Sequence, residues 1–245
     1  MFIDIHCHLD LLENQDEVVK RAKKNKVEII VANSVDFPSA KKVIKLSKKY
    51  PEVKAAIGIY PTDALKLSES EIKQFLDFAR SQDIVAVGEV GMDFKESENK
   101  SRQEQIFSQF IQLSTELNIP VIVHSRAAEA ECVELLEKHK AKKVIMHYFC
   151  GRMKLVDKII ANGWNLSIPT AVAYSKQFQE VVKIVPIENL FCETDSPYSH
   201  PKKEFPNEPA NVVESYKKIA EIKGLPLKEV EKFIEGNFKR VFENL

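Results

Sequence analysis

The sequence predicts one α/β domain over residues 1–245, a single (β/α)8 TIM barrel with an additional C-terminal helix. Three observations carry this reading. Short apolar runs of strand type alternate with amphipathic helices along the whole chain, the order that builds a parallel sheet covered by helices. Eight such runs occur, and 245 residues is the usual length of a closed eight-stranded barrel. The first strand-to-helix turn, His8-Leu9-Asp10-Leu11-Leu12-Glu13-Asn14, has no glycine to cradle a dinucleotide phosphate, which counts against an open doubly wound sheet. No linker, low-complexity stretch or repeat marks a second domain.

The elements follow in order. Phe2, Ile3 and Ile5 open the chain as a short buried strand, with Asp4, His6 and His8 on one face because strand side chains alternate. Residues 14–26 are helical, carrying Val18, Val19 and Ala22 among charges. Residues 28–33 form the second strand, and 39–50 the second helix, which stops before Pro51. The third strand, 53–59, ends at Tyr60-Pro61, and Ser68-Glu69-Ser70-Glu71 offers a capping box to the helix through Arg80. Strand four is 84–89. The helix 103–117 then turns Ile106, Phe107, Phe110, Ile111 and Leu113 inward. Strand five, 120–124, leads to a helix over 127–138; strand six, 143–147, leads to one over 154–162 that Gly163 caps. Strand seven, 164–168, precedes a helix over 177–185, and strand eight is 190–195. Helices over 210–223 and 227–242 close the chain.

Composition narrows the functional classes. Lys plus Arg and Asp plus Glu both number 36, for a formal charge of zero, so a general basic coat for duplex nucleic acid is excluded while a local phosphate-binding patch is not. Cys7, Cys132, Cys150 and Cys192 are widely spaced with no C-x-x-C, which argues against a disulfide framework and a zinc knuckle. Cys7 faces away from the histidines that flank it. Met1 leads straight into a strand and no apolar run approaches membrane-spanning length, so the expectation is a soluble cytoplasmic enzyme.

Barrel enzymes carry their active sites at the C-terminal ends of the strands. Strand one ends in His6 and His8, strand four in Glu89, strand five in His124, strand six in His147 and strand eight in Asp195. Four imidazoles and two carboxylates on one rim predict a metal site, since isolated rim histidines do not explain their convergence. They exceed what one four-coordinate ion needs with a position left open, so two divalent ions are expected. Glu89, alone on strand four, is the natural bridge, with His6, His8 and Asp195 on the first ion and His124 and His147 on the second. Ions about 3.5–4 Å apart form the clamp that hydrolases use on phosphate esters. Such ligands accept Mg2+, Mn2+, Zn2+ or Ni2+.

The motifs Asp4-Ile5-His6-Cys7-His8-Leu9-Asp10, Gly88-Glu89-Val90-Gly91-Met92-Asp93, Pro120-Val121-Ile122-Val123-His124-Ser125-Arg126 and Glu193-Thr194-Asp195-Ser196-Pro197-Tyr198, with Asn207-Glu208-Pro209 downstream, resemble the TatD family of metal-dependent deoxyribonucleases. The resemblance runs the length of the chain. It implies a TIM barrel of the amidohydrolase superfamily, divalent-metal dependence and hydrolysis of DNA phosphodiesters, several relatives being 3′–5′ exonucleases. The family's ligands fall on His6, His8, Glu89, His124, His147 and Asp195, the set taken from the strand ends. Three segments depart from the family pattern. Gly58-Ile59-Tyr60-Pro61-Thr62 stands where Gly-x-His-Pro-His is common, so any role of those histidines is absent here or is taken by Tyr60 as a substrate contact. His147-Tyr148-Phe149-Cys150-Gly151 replaces a His-x-Phe-Ser-Gly run, and Lys202-Lys203-Glu204-Phe205-Pro206 a more basic one.

Further roles are read for the neighbours. Asp195 is the candidate general base, or else a plain ligand. Arg126 is placed to fork onto a phosphate oxygen or to pair with a rim carboxylate. Asp4 and Glu193, one layer deeper, are expected to orient metal-bound imidazoles, and Asp93 to do similar work or cap a loop. Lys202, Lys203 and His200 either meet a nucleic-acid backbone or form a solvated loop. The partner implied is DNA, single-stranded or at 3′ ends. The alternative is a superfamily hydrolase of a small phosphoester, lactone or amide; many of those bridge their metals with a carboxylated lysine at strand four, where this chain offers Glu89.

Overall fold

In the computed structural model, which describes residues 1–243, eight parallel strands alternate with helices in chain order. They are β1 (Phe2–Cys7), α1 (Gln15–Lys24), β2 (Val27–Asn33), α2 (Phe37–Lys49), β3 (Val53–Ala56), α3 (Pro61–Ala64), α4 (Glu69–Arg80) and β4 (Val87–Gly91). There follow α5 (Lys100–Leu117), β5 (Val121–His124), α6 (Glu129–Lys138), β6 (Val144–Met146), α7 (Met153–Ala161), β7 (Asn165–Pro169), α8 (Lys176–Ile184), β8 (Leu190–Glu193), α9 (Val212–Lys223) and α10 (Leu227–Val241). Every strand neighbours the next in sequence, within β1 to β3 and within β4 to β8. Backbone bonds close the two seams. Val85 N–H donates to the Ala55 carbonyl at 2.9 Å and Ile57 N–H to Ala86 at 3.1 Å, joining β3 to β4. Asp195 N–H donates to His6 at 3.0 Å and His8 N–H to Ser196 at 2.7 Å, joining β8 to β1. The protein is a (β/α)8 barrel. Its second seam lies among the residues that were singled out for chemistry.

The helices form where the apolar spacing and caps place them. Ser68 and Glu71 make the reciprocal capping box at the start of α4, and the Asp36 side chain accepts from Ser39 N–H at 2.7 Å to start α2. Gly163 and Gly224 take left-handed φ of 72° and 65° just after α7 and α9, where a side chain would be strained. The additional helix, α10, packs against β8 and β1, and Asn237 donates to the carbonyls of Ile187 and Leu190 at 2.8 and 2.9 Å. Trp164, Tyr216, Phe75, Phe107, Phe110 and Phe191 are fully buried between the barrel and its helical coat.

Two local departures from the expected elements bear on the site. The single turn α3 was not anticipated, because Pro61 reads as a strand terminator; here it occupies the first helical position, where its missing N–H costs nothing. Strand four runs to Gly91 rather than ending at Glu89, so Glu89 sits within the strand. Glycines allow this. A Cβ at Gly58 would run into the Glu89 carbonyl, and one at Gly91, with φ of 142°, into the His124 carbonyl.

Candidate metal centre

The alternation of β1 turns His6 and His8 to the barrel axis, and Glu89 of β4, His124 of β5, His147 after β6 and Asp195 after β8 meet them at the C-terminal rim. Glu89 is the centre of the cluster. Its Oε2 lies 3.6 Å from His6 Nε2 and 3.3 Å from His8 Nε2. Its Oε1 lies 2.8 Å from His124 Nδ1 and 3.3 Å from His147 Nε2. One carboxylate thus has two imidazoles on each oxygen. Asp195 Oδ1 adds a further acceptor, 3.5 Å from His6 Nε2 and 3.7 Å from His8 Nε2. Asp195 adopts φ of 53°, a strained value for a residue with a Cβ, and its backbone bond to His6 holds it there. Three overlapping groups, His6–His8–Glu89, Glu89–His124–His147 and His6–His147–Asp195, bring their donor atoms within 4.8 Å of one another.

Neighbouring groups fix which nitrogen each imidazole presents. His8 Nδ1 meets the Asn33 carbonyl at 3.1 Å, leaving Nε2 toward Glu89. His147 Nδ1 lies 3.2 Å from Glu193 Oε2, and Glu193 also accepts from Ser167 Oγ at 2.6 Å and from Tyr148 N–H at 3.0 Å. His124 uses its ring the other way round: Nε2 is 3.0 Å from Asp93 Oδ2 and Nδ1 faces Glu89. Asp93 is itself held by N–H donors from Lys95 and Glu96. Asp4 does something different from what the sequence suggested. It touches no imidazole ring; its carboxylate accepts from Thr194 N–H at 2.9 Å and Thr194 Oγ1 at 2.6 Å, so it fixes the β8 end beside Asp195. The reach of a short side chain one layer down ends at the adjacent strand. Asn33, Ser167 and Tyr148 were missed, since a backbone carbonyl, a hydroxyl and a backbone N–H carry no charged signature in the sequence.

The electrostatics follow from burial and proximity. Burial, with His147 beside it, keeps His6 below the ordinary imidazole pKa and therefore neutral. Burial also works against charge on His147, but the Glu193 and Glu89 carboxylates outweigh it and hold His147 well above the ordinary value. Glu89 is likewise buried, yet the imidazoles of His147, His124 and His8 hold its carboxyl well below the usual range. Burial opposes ionisation of Asp93 too, and His124 and Tyr60 overcome it, bringing its pKa down to about 2. Glu89 and Asp93 are therefore both ionised.

A divalent cation fits this donor set. Among the described residues, neither ring nitrogen of His6 has a hydrogen-bond partner although both are buried. An imidazole left so costs about 1–3 kcal/mol per unpaired group. A cation between His6, His8 and Glu89 would take that lone pair. Ionised Glu89 and neutral His6 already have the protonation states that ligands require, and His8, His124 and His147, whose pKa values the neighbouring carboxylates raise, would release protons as a cation bound.

A cavity of about 670 Å³ opens above the cluster and is lined by His8, Glu89, His124, His147 and Asp195 together with Tyr60, Arg126 and Tyr198. Arg126 is half exposed and pairs with Glu96, Nη2 to Oε1 at 3.3 Å, with Asp93 Oδ2 3.7 Å from its Nε. Tyr60 lines the cavity but gives its hydroxyl to Asp93 at 2.7 Å. Cys7 is buried with Sγ toward the Val31 carbonyl at 3.8 Å, away from the cluster. Cys150 is exposed at the cavity wall. His139 ends α6, and His200 accepts from Lys202 N–H in the loop after β8; neither joins the cluster. No helix of the described chain is long and apolar enough to cross a membrane.

Comparison with known proteins places the chain. Residues 3–243 match the family model described as TatD related DNase. An uncharacterized metal-dependent hydrolase of Methanocaldococcus jannaschii is 35% identical over 99% of this chain and 97% of its own length. The deoxyribonuclease TATDN3 of Homo sapiens is 34% identical over 99% of this chain and 95% of its own. In fold, the crystal structure of YjjV, a TatD homologue from Escherichia coli, superposes with a TM-score of 0.91 at 23% identity, covering 100% of this chain and 98% of that one. The chain belongs to the TatD family of metal-dependent hydrolases.

Proposed function

We propose that the protein is a two-metal phosphodiesterase that hydrolyses DNA as a 3′–5′ exonuclease, acting on single strands or at 3′ ends. The observation that carries the reading is the double use of Glu89, whose two oxygens each face two imidazoles. In this reading His6, His8, Asp195 and Glu89 would hold one divalent ion, and Glu89, His124 and His147 the other. A bound pair of ions supplies an acidified water and positive charge for the phosphoryl oxygens. The choice of DNA is supported by the family description and by the human relative named a deoxyribonuclease.

The chain's own residues have separable tasks. Asp195, ionised and facing the cavity, accepts the proton of the attacking water at Oδ1 and orients it. Glu193, Asp93 and the Asn33 carbonyl hold His147, His124 and His8 in the tautomers that aim their free nitrogens inward. Arg126 leaves Glu96 for a non-bridging phosphate oxygen when substrate arrives, an exchange of one weak exposed ion pair for a forked one.

The test is an activity panel. The purified protein should degrade single-stranded or 3′-recessed oligonucleotides with Mg2+, Mn2+, Zn2+ or Ni2+ and stop in EDTA. Turnover of a lactone or small phosphoester with no oligonucleotide cut under any of these ions would remove the nuclease reading.

A further inference from the structure

We propose that the segment after β8 carries a base-stacking platform, formed by Tyr198 and Phe205, that seats the nucleobases of a single-stranded DNA end beside the metal-binding cluster. The inference rests on the nuclease reading and adds the surface by which the site would recognise its strand. Six large apolar side chains are exposed among the described residues, and four of them, Leu11, Tyr174, Tyr198 and Phe205, follow the C-terminal ends of β1, β7 and β8. Phe205 is 73% exposed and Tyr198 52%. Leu11 and Tyr198 line the cavity and Phe205 stands beside Tyr198, and exposed apolar groups gathered on one side rather than scattered mark a contact surface.

The geometry ties this surface to the site. The rings of Tyr198 and Phe205 lie 6.5 Å apart, tilted by 44°, and Tyr198 stands edge-on to His8 at 6.4 Å. Tyr198 N–H donates to the Asp195 carbonyl at 2.9 Å, so the first ring is one tight turn from the proposed base. The loop is anchored from beneath. Asn207 Nδ2 donates to the Thr194 carbonyl at 2.9 Å and to Thr170 Oγ1 at 3.0 Å, and Asn207 N–H to the Pro197 carbonyl at 2.8 Å. Fixed at both ends, the segment presents its rings instead of folding them under.

Charge selects the occupant and its path. The far wall of the cavity carries Asp63, Glu96 and Glu129, and its one arginine, Arg126, is paired with Glu96. Past the single phosphate contact that Arg126 can give, a phosphodiester backbone meets net negative charge there. The platform side carries exposed Lys202 and Lys203, offset by Glu204, with Lys203 Nζ 4.7 Å from the centre of the Tyr174 ring. Aromatic faces beside lysines are the means by which proteins hold single strands without reading sequence. A strand therefore enters over β8, stacks its bases on Tyr198 and Phe205, and ends against the acidic wall.

Steady-state kinetics on two substrates test it: a single-stranded oligonucleotide, and the same strand with abasic residues in place of the nucleotides next to the cleaved end. Phe205→Ala should raise KM for the intact strand roughly tenfold with kcat little changed, the signature of lost stacking. It should leave KM for the abasic strand where the wild-type protein has it, and Phe205→Trp should restore the intact-strand value. Phe205 is exposed, so its truncation removes no core packing. If wild-type protein cuts the oligonucleotide and Phe205→Ala is indistinguishable from it, or loses equally on both strands, the platform alone is overturned. If the wild-type protein cuts no oligonucleotide under any ion, the nuclease reading falls and the platform with it.

Discussion

Replacing Glu193 by Gln should loosen the ion held by His147 while leaving the barrel folded. Glu193 is buried and accepts from three donors: His147 Nδ1 at 3.2 Å, Ser167 Oγ at 2.6 Å and Tyr148 N–H at 3.0 Å. A carboxylate meets all three with two acceptor oxygens. Glutamine has one acceptor oxygen and an NH2 that only donates. With the amide oxygen toward His147 and Ser167, the NH2 opposes the Tyr148 N–H; flipped, it opposes His147 Nδ1–H. Either way one buried donor loses its acceptor, at about 1–3 kcal/mol. The charge that holds His147 in place is lost as well. Carboxylates that support a ligating imidazole typically account for 10- to 100-fold in metal affinity, so Kd should rise by roughly that factor, or about 1.4–2.7 kcal/mol. The assay is calorimetric titration of Mn2+ or Zn2+ into metal-stripped wild-type and Glu193→Gln protein, with circular dichroism as the check on folding. Only one of the two binding steps should move. Unchanged affinity at both steps in a folded variant would mean that Glu193 serves the β7–β8 packing and not the metal.

The remaining predictions concern the rim and the ions. Asp195→Asn should lower kcat by about 10²–10⁴ with KM kept, the range for a lost general base; an effect confined to metal content would make Asp195 a ligand without a proton role. Arg126→Ala should raise KM on oligonucleotides with the melting midpoint unchanged, since an exposed ion pair of the kind it makes with Glu96 contributes at most about 1 kcal/mol. Loss of bound metal in that variant would assign Arg126 to the structure of the site instead. Adding metal at about one hundred times Kd to EDTA-stripped protein should stabilise it by about 2.7 kcal/mol per site, a rise of roughly 5–10 °C in Tm. Scanning calorimetry that finds no rise would show that the cluster binds no ion tightly in the folded state.

The strand ends were legible because period-two alternation and the barrel rule act on every strand alike. Once β1, β4, β5, β6 and β8 were placed, His6, His8, Glu89, His124, His147 and Asp195 had to meet. What supports them was less legible, for physical reasons. Asn33 works through its backbone carbonyl, which any residue would offer, and Ser167 looks like any small strand residue until Glu193 is opposite it. Asp93 lies beyond β4, in a stretch whose path is set by Gln103 of α5, which accepts from Asp93 N–H at 2.7 Å and donates to its carbonyl at 3.2 Å. No local pattern announces that contact across ten residues. Asp4 shows the opposite case. Its face and depth followed from the strand, but its partner, Thr194, depended on the β8–β1 register that only closure of the barrel fixes.

The account turns on Glu89 joining two ions, and metal stoichiometry tests that most directly. Wild-type protein and Glu89→Ala would be equilibrated with excess Mn2+ or Zn2+, freed of unbound ion by gel filtration, and measured by elemental analysis with circular dichroism alongside. The expectation is two ions per wild-type chain, the number the proposed clamp requires, and at most one per chain in a variant that remains folded. A folded Glu89→Ala protein that still holds two ions would contradict it.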